Sequence, residues 1–307
     1  MKIGFIGTGV MGSRMVKRLL DNGFHVMVHN RTIEKAQPLI ELGAIYSETI
    51  SCLANQSQVV CTCLSMPDDV LNVYTGKEGI IHSAQPGTIC IDFTSVGADT
   101  SKTIFEMSYA KKISYLDCPV SGGPEGAESG KLTIMAGGEK EAFQKVKPVL
   151  KVLGDTIEYL GPSGSGSIAK LINQYLVAVH SLAASEAMVA GSAYGLDSEL
   201  LLKVLKASYG DSKILRRHME QYVFDRQFTP GGAVKYVHKD VRLANQLLME
   251  AGLSRFTGQM AEKAFQTAAE QGRCDQDMSA VIKALEEETG IIVKRKKSSS
   301  DTERLGY

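Results

Sequence analysis

The chain has 307 residues, with 34 Lys and Arg against 34 Asp and Glu, a formal net charge of zero. That balance excludes a body-wide basic surface for nucleic acid, and 44% hydrophobic with 22% charged residues excludes disordered or collagen-like character. The length suggests two domains, no uninterrupted apolar run reaches the ~18 residues of a membrane helix, and the six cysteines lack disulfide-framework or metal-ligand spacing.

The N-terminus enters a strand at once, so no signal peptide and a cytoplasmic location are expected. Short runs rich in Ile, Val, Thr and Tyr predict strands over Lys2–Ile6, His25–His29, Val59–Leu64, Thr88–Asp92, Ser114–Asp117, Lys131–Ala136 and Thr156–Leu160. Between them, Val10–Asn22, Ile33–Leu42, Ser51–Gln56, Pro67–Tyr74, Ala98–Lys111 and Lys140–Leu153 read as helices. This alternation predicts an α/β fold, a doubly wound, mostly parallel Rossmann sheet over 1–162. After the Gly/Ser-rich stretch 161–167 the pattern is helical only. Helices are expected over Ile168–Tyr194, Asp197–Ala207, Ser212–Phe224, Gly232–Ala251, Arg255–Glu270 and Asp277–Glu288, with Gly195, Gly252 and Gly272 as stops. They form an all-α domain over 163–290, built on a first helix of roughly 40 Å. The basic, Ser-rich stretch 291–307 reads as a disordered, solvated tail.

Gly7-Thr8-Gly9-Val10-Met11-Gly12 follows the first strand and opens the first helix. This is the dinucleotide fingerprint in its required context: Gly7 for the tight turn, Gly9 for backbone approach to a pyrophosphate, Gly12 for helix–sheet packing. The helix N-terminus supplies N–H groups and positive partial charge to the phosphates. At the end of the second strand, where NAD enzymes carry a carboxylate for the ribose hydroxyl, this chain has Asn30-Arg31-Thr32. Nothing there repels a 2′-phosphate and Arg31 can hold one, so NADP(H) is expected over NAD(H). The alternative is a solvated Arg31 with Thr32 as a helix cap. Leu64-Ser65-Met66 and Ser95 end later strands and should line the same crevice, although either stretch could equally be a loop start with a capping hydroxyl.

Three stretches are candidates for the reacting centre. Ser121-Gly122-Gly123 offers a hydroxyl and unobstructed backbone N–H groups, a plausible carboxylate cradle, or else an ordinary loop. Lys170 and Asn173 share a helix face among Ile168, Leu171, Ile172 and Leu176. Burial and the positive end of the helix would both disfavour the lysine's charge and bring it into acid/base range. A lysine snorkelling at a hinge is the structural alternative. Lys239-Asp240 could reach the crevice or form a surface pair. No histidine shows metal-ligand spacing, so no metal is expected.

With these four motifs in order, residues 1 to about 290 resemble the β-hydroxyacid dehydrogenases. That group includes 3-hydroxyisobutyrate dehydrogenase, tartronate semialdehyde (2-hydroxy-3-oxopropionate) reductase and the glyoxylate/succinic semialdehyde reductases. The resemblance implies that Ser121, Gly122 and Gly123 bind the substrate carboxylate, that Lys170 is the general acid/base, and that Asn173 orients the substrate. Ser95 and Lys239 would contact the nicotinamide end of the cofactor, with Asp240 in support. The family often has Asn-Asn where this chain has Asn173-Gln174. The Asn30-Arg31-Thr32 stretch resembles the NADPH-using branch. A small aldehyde acid or hydroxy acid is then the partner, with no nucleic acid or membrane, and a homodimer or homotetramer the assembly. An imine reductase-like NADPH enzyme, or a non-catalytic NADP(H)-binding scaffold, is the alternative.

Overall fold

The computed structural model describes residues 1–295, and chain contacts divide them between a unit Met1–Ile172 and a second unit from Asn173 onward. The first unit begins with β1 (Lys2–Ile6), α1 (Val10–Asp21), β2 (His25–His29), a 3₁₀ turn (Ile33–Lys35), α2 (Gln37–Glu41), β3 (Ile45–Tyr46), α3 (Ile50–Gln56) and β4 (Val59–Thr62). It continues with α4 (Pro67–Thr75), α5 (Ile80–Ser83), β5 (Ile89–Asp92), α6 (Ala98–Tyr109), β6 (Ser114–Asp117), β7 (Val120–Ser121), α7 (Gly123–Ser129), β8 (Leu132–Gly138), α8 (Lys140–Leu153) and β9 (Gly154–Gly161).

Six strands pair in parallel in the order β3-β2-β1-β4-β5-β6, with β1 central. β8 then runs antiparallel to both β6 and β7 in one constant register, Leu116↔Gly138 and Val120↔Ile134. β6 and β7 are therefore a single strand interrupted at Cys118-Pro119, where proline removes a ladder donor. β9 pairs in parallel with β8.

The period of two distributes this sheet's side chains between two cores. Ile3, Phe5, Val59, Cys61, Ile89 and Ile91 pack with Met15 and Leu19 of α1 and Val146 and Leu150 of α8. Val60, Cys90 and Tyr115 pack with Leu53 of α3, Tyr74 of α4 and Ile104 of α6. Burial on both faces explains why the parallel strands read as continuous apolar runs.

The mostly parallel sheet is as the alternation implied, with local differences. The single helix expected over Ile33–Leu42 is broken into the 3₁₀ turn and α2, with Pro38 in the first turn of α2; a proline ring is tolerated there but clashes within a continuous helix. β3, β7 and α5 were too short to register as patterns, and α7 was hidden by its Gly-Pro start, which suits a first helical turn.

α9 (Ser165–Ala193) continues from the first unit into the second. The contact boundary lies ten residues beyond the expected 162/163 because the start of α9 is tied to the sheet. Asp117 Oδ1 accepts from the Gly164 N–H at 2.8 Å and Oδ2 from the Ser167 N–H at 2.9 Å. Ser101 and Ser167 hydroxyls are 2.9 Å apart, and a Cβ on Gly166 would collide with the carbonyl oxygens of Met135 and Asp117. By length and composition α9 is also apolar enough to cross a bilayer, with a mean hydropathy of 1.3 over one stretch, although Asn173, Gln174, His180 and Ser181 interrupt its apolar residues.

The second unit contains α10 (Ser198–Lys206), α11 (Lys213–His218) running into a π turn (Met219–Val223), α12 (Val234–Glu250), and α13 (Gly258–Ala268) running into a π turn (Ala269–Arg273). A 3₁₀ turn (Met278–Val281) then leads into α14 (Ile282–Thr289). The three expected stops have positive φ: 81° at Gly195, 90° at Gly252 and 78° at Gly272. The tail does not begin at 291. Val293 is fully buried and its N–H donates to Glu286 Oε1, while Arg226 holds that carboxylate with both terminal nitrogens. Arg295 donates to Asp225 and Glu199, each at 2.8 Å. Apolar Ile291 and Val293 complete a helical core; the rest of the expected tail, 296–307, lies outside the described residues.

Candidate active site

The glycine motif folds as its spacing required. Gly7 has φ 96°, and a Cβ there would strike the Cys63 carbonyl oxygen. Its N–H donates to the His29 carbonyl at 3.0 Å, joining the turn to the end of β2. A Cβ on Gly12 would collide with the Gly7 carbonyl oxygen, so α1 packs close against the turn. At Gly9, by contrast, a Cβ would meet nothing within 4 Å. Gly9 caps α1 without a side-chain hydrogen bond, and no acidic residue occupies the first turn. Val10 is exposed and Met11 half-buried. Thr8 is 3% exposed, yet its hydroxyl has no partner among the described residues. A bare helix N-terminus, an open approach at Gly9 and an unpartnered buried hydroxyl together fit a dinucleotide pyrophosphate.

Asn30 stabilises this turn. Its Oδ1 accepts from the Thr8 N–H at 3.0 Å and its Nδ2 donates to the Thr32 carbonyl at 2.8 Å. Thr32 makes no side-chain capping bond. Arg31 is exposed beside the turn that Asn30 ties together.

The carboxyl ends of β4 and β5 are braced from beneath by a buried carboxylate that sequence reasoning missed. Asp92, 1% exposed, accepts from Thr62 at 2.8 Å, the Thr94 N–H at 3.0 Å and Tyr115 at 3.1 Å. Burial pushes its carboxyl above the usual range, against those hydrogen bonds. Thr94 in turn accepts from the Leu64 N–H at 2.9 Å. This fixes the strand ends that carry Leu64, Ser65, Met66 and Ser95; Ser65 and Met66 are exposed, Leu64 and Ser95 half-buried.

Ser121 ends β7, paired with Thr133 of β8. Gly122 and Gly123 follow with φ of 132° and 63°, and α7 starts at Gly123. The ordinary-loop alternative does not hold: the stretch is a strand end feeding a helix N-terminus, with half-buried Ser121 and exposed Gly122 at the transition. Lys170 lies in the second turn of α9, 8% exposed. Asp117, the second carboxylate that the sequence did not single out, clamps the start of that helix; burial raises its carboxyl despite the Gly164 and Ser167 N–H bonds. In both cases the available signal was an Asp closing a strand whose other central residues are buried.

In the second unit the structure joins Asn173, Lys239 and Asp240 through Gln174. Lys239 Nζ is 2.9 Å from Asp240 Oδ1. Gln174 Nε2 donates to Asp240 Oδ2 at 2.6 Å, and Asn173 Nδ2 donates to Gln174 Oε1 at 3.0 Å. Lys239 and Asp240 are 8% and 5% exposed, so the surface-pair alternative does not apply.

Two family models cover most of the chain. Residues 2–161 match the NAD binding domain of 6-phosphogluconate dehydrogenase, and residues 164–285 match the model for NAD-binding of NADP-dependent 3-hydroxyisobutyrate dehydrogenase. The chain is 33% identical to 2-(hydroxymethyl)glutarate dehydrogenase of Eubacterium barkeri, covering 95% of this chain and 97% of the relative. It is 33% identical to 2-hydroxy-3-oxopropionate reductase of Escherichia coli, covering 93% and 97%. Among solved structures, Psf3 in complex with NADP+ and 2-OPP superposes with a TM-score of 0.86 at 27% identity, over 92% of this chain and 99% of that one.

Proposed function

This chain belongs to the 3-hydroxyisobutyrate dehydrogenase family of β-hydroxyacid dehydrogenases, and on that premise we propose that it interconverts a small aldehyde acid and its hydroxy acid with NADP(H). As a member it is an NAD(P)-dependent oxidoreductase.

The observation that carries the finer reading is Lys170, a buried ammonium-bearing side chain on a helix whose start is locked by Asp117. A nicotinamide cofactor, when bound, would supply the hydride in the reductive direction and accept it in the oxidative one. Lys170 gives its proton to the oxygen as negative charge develops there, and takes it back in the oxidative direction. Ser121, Gly122 and Gly123 hold the substrate carboxylate through hydroxyl and backbone N–H donors, which restrains the orientation of the reacting carbon. Asn173 orients the substrate oxygen.

Gly7, Gly9, Val10, Met11 and Gly12 form the pyrophosphate turn, and Leu64, Ser65, Met66, Ser95 and Lys239 serve the rest of the cofactor. Arg31 favours the 2′-phosphate, with Asn30 and Thr32 shaping the turn around it; the absence of a carboxylate at 30–32 supports NADP(H). The NADP+ complex of the solved relative and the NADP-dependent family model point the same way. Exposed Tyr194, Leu196, Leu200 and Val204 support a homodimer or homotetramer, and six unpaired cysteines support the cytoplasm.

The test is NADPH oxidation, followed by absorbance, against glyoxylate, succinic semialdehyde, tartronate semialdehyde and methylmalonate semialdehyde, with NADH in parallel. Turnover of one aldehyde acid with NADPH preferred is expected. Tight NADPH binding without turnover of any of them would overturn the reaction and favour a cofactor-binding scaffold.

A further inference from the structure

The polar chain Lys239–Asp240–Gln174–Asn173 has a direction. An ammonium can only donate hydrogen bonds and an ionised carboxylate can only accept them. Asp240, paired with Lys239, must therefore receive the Nε2 of Gln174 at 2.6 Å. This turns the Gln174 carbonyl oxygen toward Asn173, which must donate its Nδ2 at 3.0 Å. Flipping either amide would set two donors or two acceptors against each other. The sense imposed by the buried ion pair passes through Gln174 and ends at Asn173, whose Oδ1 is left as the acceptor. Gln174 is 9% exposed and Asp240 5%, so water does not freely replace these contacts.

We propose that Gln174 is a positioning residue that fixes the Asn173 amide so that its carbonyl oxygen, not its nitrogen, is offered to the substrate hydroxyl. A glutamine reaches both partners: it sits on α9 next to Asn173 and extends to Asp240 on α12, 66 positions later. An asparagine at the same place would be one methylene shorter. The inference rests on the reading of Lys170 and Asn173 as the reacting pair. It adds a selection rule, because a site presenting an acceptor recognises the hydroxyl of a hydroxy acid and gains nothing from a group without a proton to give.

The experiment uses the full-length enzyme, with NADP+-dependent oxidation of 4-hydroxybutyrate and glycerate, the hydroxy acids of succinic semialdehyde and tartronate semialdehyde, as the probes. Gln174→Met, Gln174→Asn and Asn173→Ala are made singly, and Gln174→Met is combined with Asn173→Ala. Displacing an orienting group by about 1 Å can cost on the order of 100-fold. Gln174→Met and Gln174→Asn are expected to lower kcat by about 10- to 100-fold, with NADP+ affinity unchanged. In the Asn173→Ala background Gln174→Met should add nothing, since the residue it orients is gone. Wild-type kcat in both Gln174 variants, or an equal loss from Gln174→Met in the two backgrounds, would overturn the proposal. Lys170→Ala made in parallel separates the two ideas: wild-type turnover there would remove the reacting pair itself, whatever Gln174 does.

Discussion

Lys170 and Arg31 show how differently two cationic side chains can be placed in one unit. Lys170 is 8% exposed on a long helix, whereas Arg31 projects from a turn whose neighbours are already hydrogen-bonded. The first suits proton transfer at a shielded atom, the second an anion arriving from solvent. General acid–base catalysis contributes ~10²–10⁴-fold, so Lys170→Ala should lower kcat by that factor with NADPH affinity retained. Stopped-flow hydride transfer and a fluorescence titration of NADPH check the two halves. A charge-assisted hydrogen bond is worth about 1.5–3 kcal/mol. Arg31→Ala should therefore weaken NADPH binding by about 10- to 100-fold and leave NADH binding unchanged. An equal loss for both cofactors would mean that Arg31 does not read the 2′-phosphate.

Element by element, much was legible because the relevant signals are local. The ends of β1, β2, β6 and α8 fall where the sequence placed them, since Gly, Asp and alternating apolar residues act over a few positions. What escaped was long-range. Nothing near Asp117 announces that its carboxylate will accept from Gly164 and Ser167, 47 and 50 positions away, or that Gln174 will reach Asp240. The motifs picked out Lys170, Asn173 and Lys239 as candidates; the groups bonded to them or to the helix that carries them needed the fold. The same distance dependence explains why chain contacts divide the chain after Ile172 rather than at 162/163, because a Gly/Ser-rich stretch reads as a linker until Asp117 is seen to clamp it. Leaving buried N–H groups without an acceptor costs about 1–3 kcal/mol. Asp117→Ala should lower stability by about that amount in urea titrations and reduce kcat with it, because the start of the helix carrying Lys170 loses its anchor. Unchanged kcat at a lowered urea midpoint would show that α9 holds Lys170 without the clamp.

Across the whole molecule the buried titratable groups pull stability in opposite directions with pH. Asp92 and Asp117 have raised carboxyl pKa values, mainly from burial, so the native state gains on the unfolded chain as pH falls through those values. In the second unit the signs reverse. Burial opposes the ionisation of Asp277, but the two-nitrogen grip of Arg217 and the Ser279 N–H bond prevail and lower its pKa. His218 is 1% exposed, its Nε2 3.3 Å from the Ser181 hydroxyl, and burial together with the neighbouring Arg217 charge pushes it down to about 3. A histidine kept neutral in the fold but free to protonate when unfolded stabilises the protein fully above its unfolded pKa. That stability drains away as pH falls from about 6.5, at about 1.4 kcal/mol per pH unit for one group. In urea midpoints followed by circular dichroism between pH 7.5 and 4.5, the wild type should lose stability relative to His218→Gln as pH falls below about 6.5, whatever the substitution does to stability at pH 7.5. A slope unchanged by His218→Gln would place the acid sensitivity elsewhere. Asp92 and Asp117, whose native values lie above the unfolded carboxylate value, gain over the same acid range and oppose the histidine there, so the His218→Gln comparison isolates it; Asp277, lowered, acts only below that range.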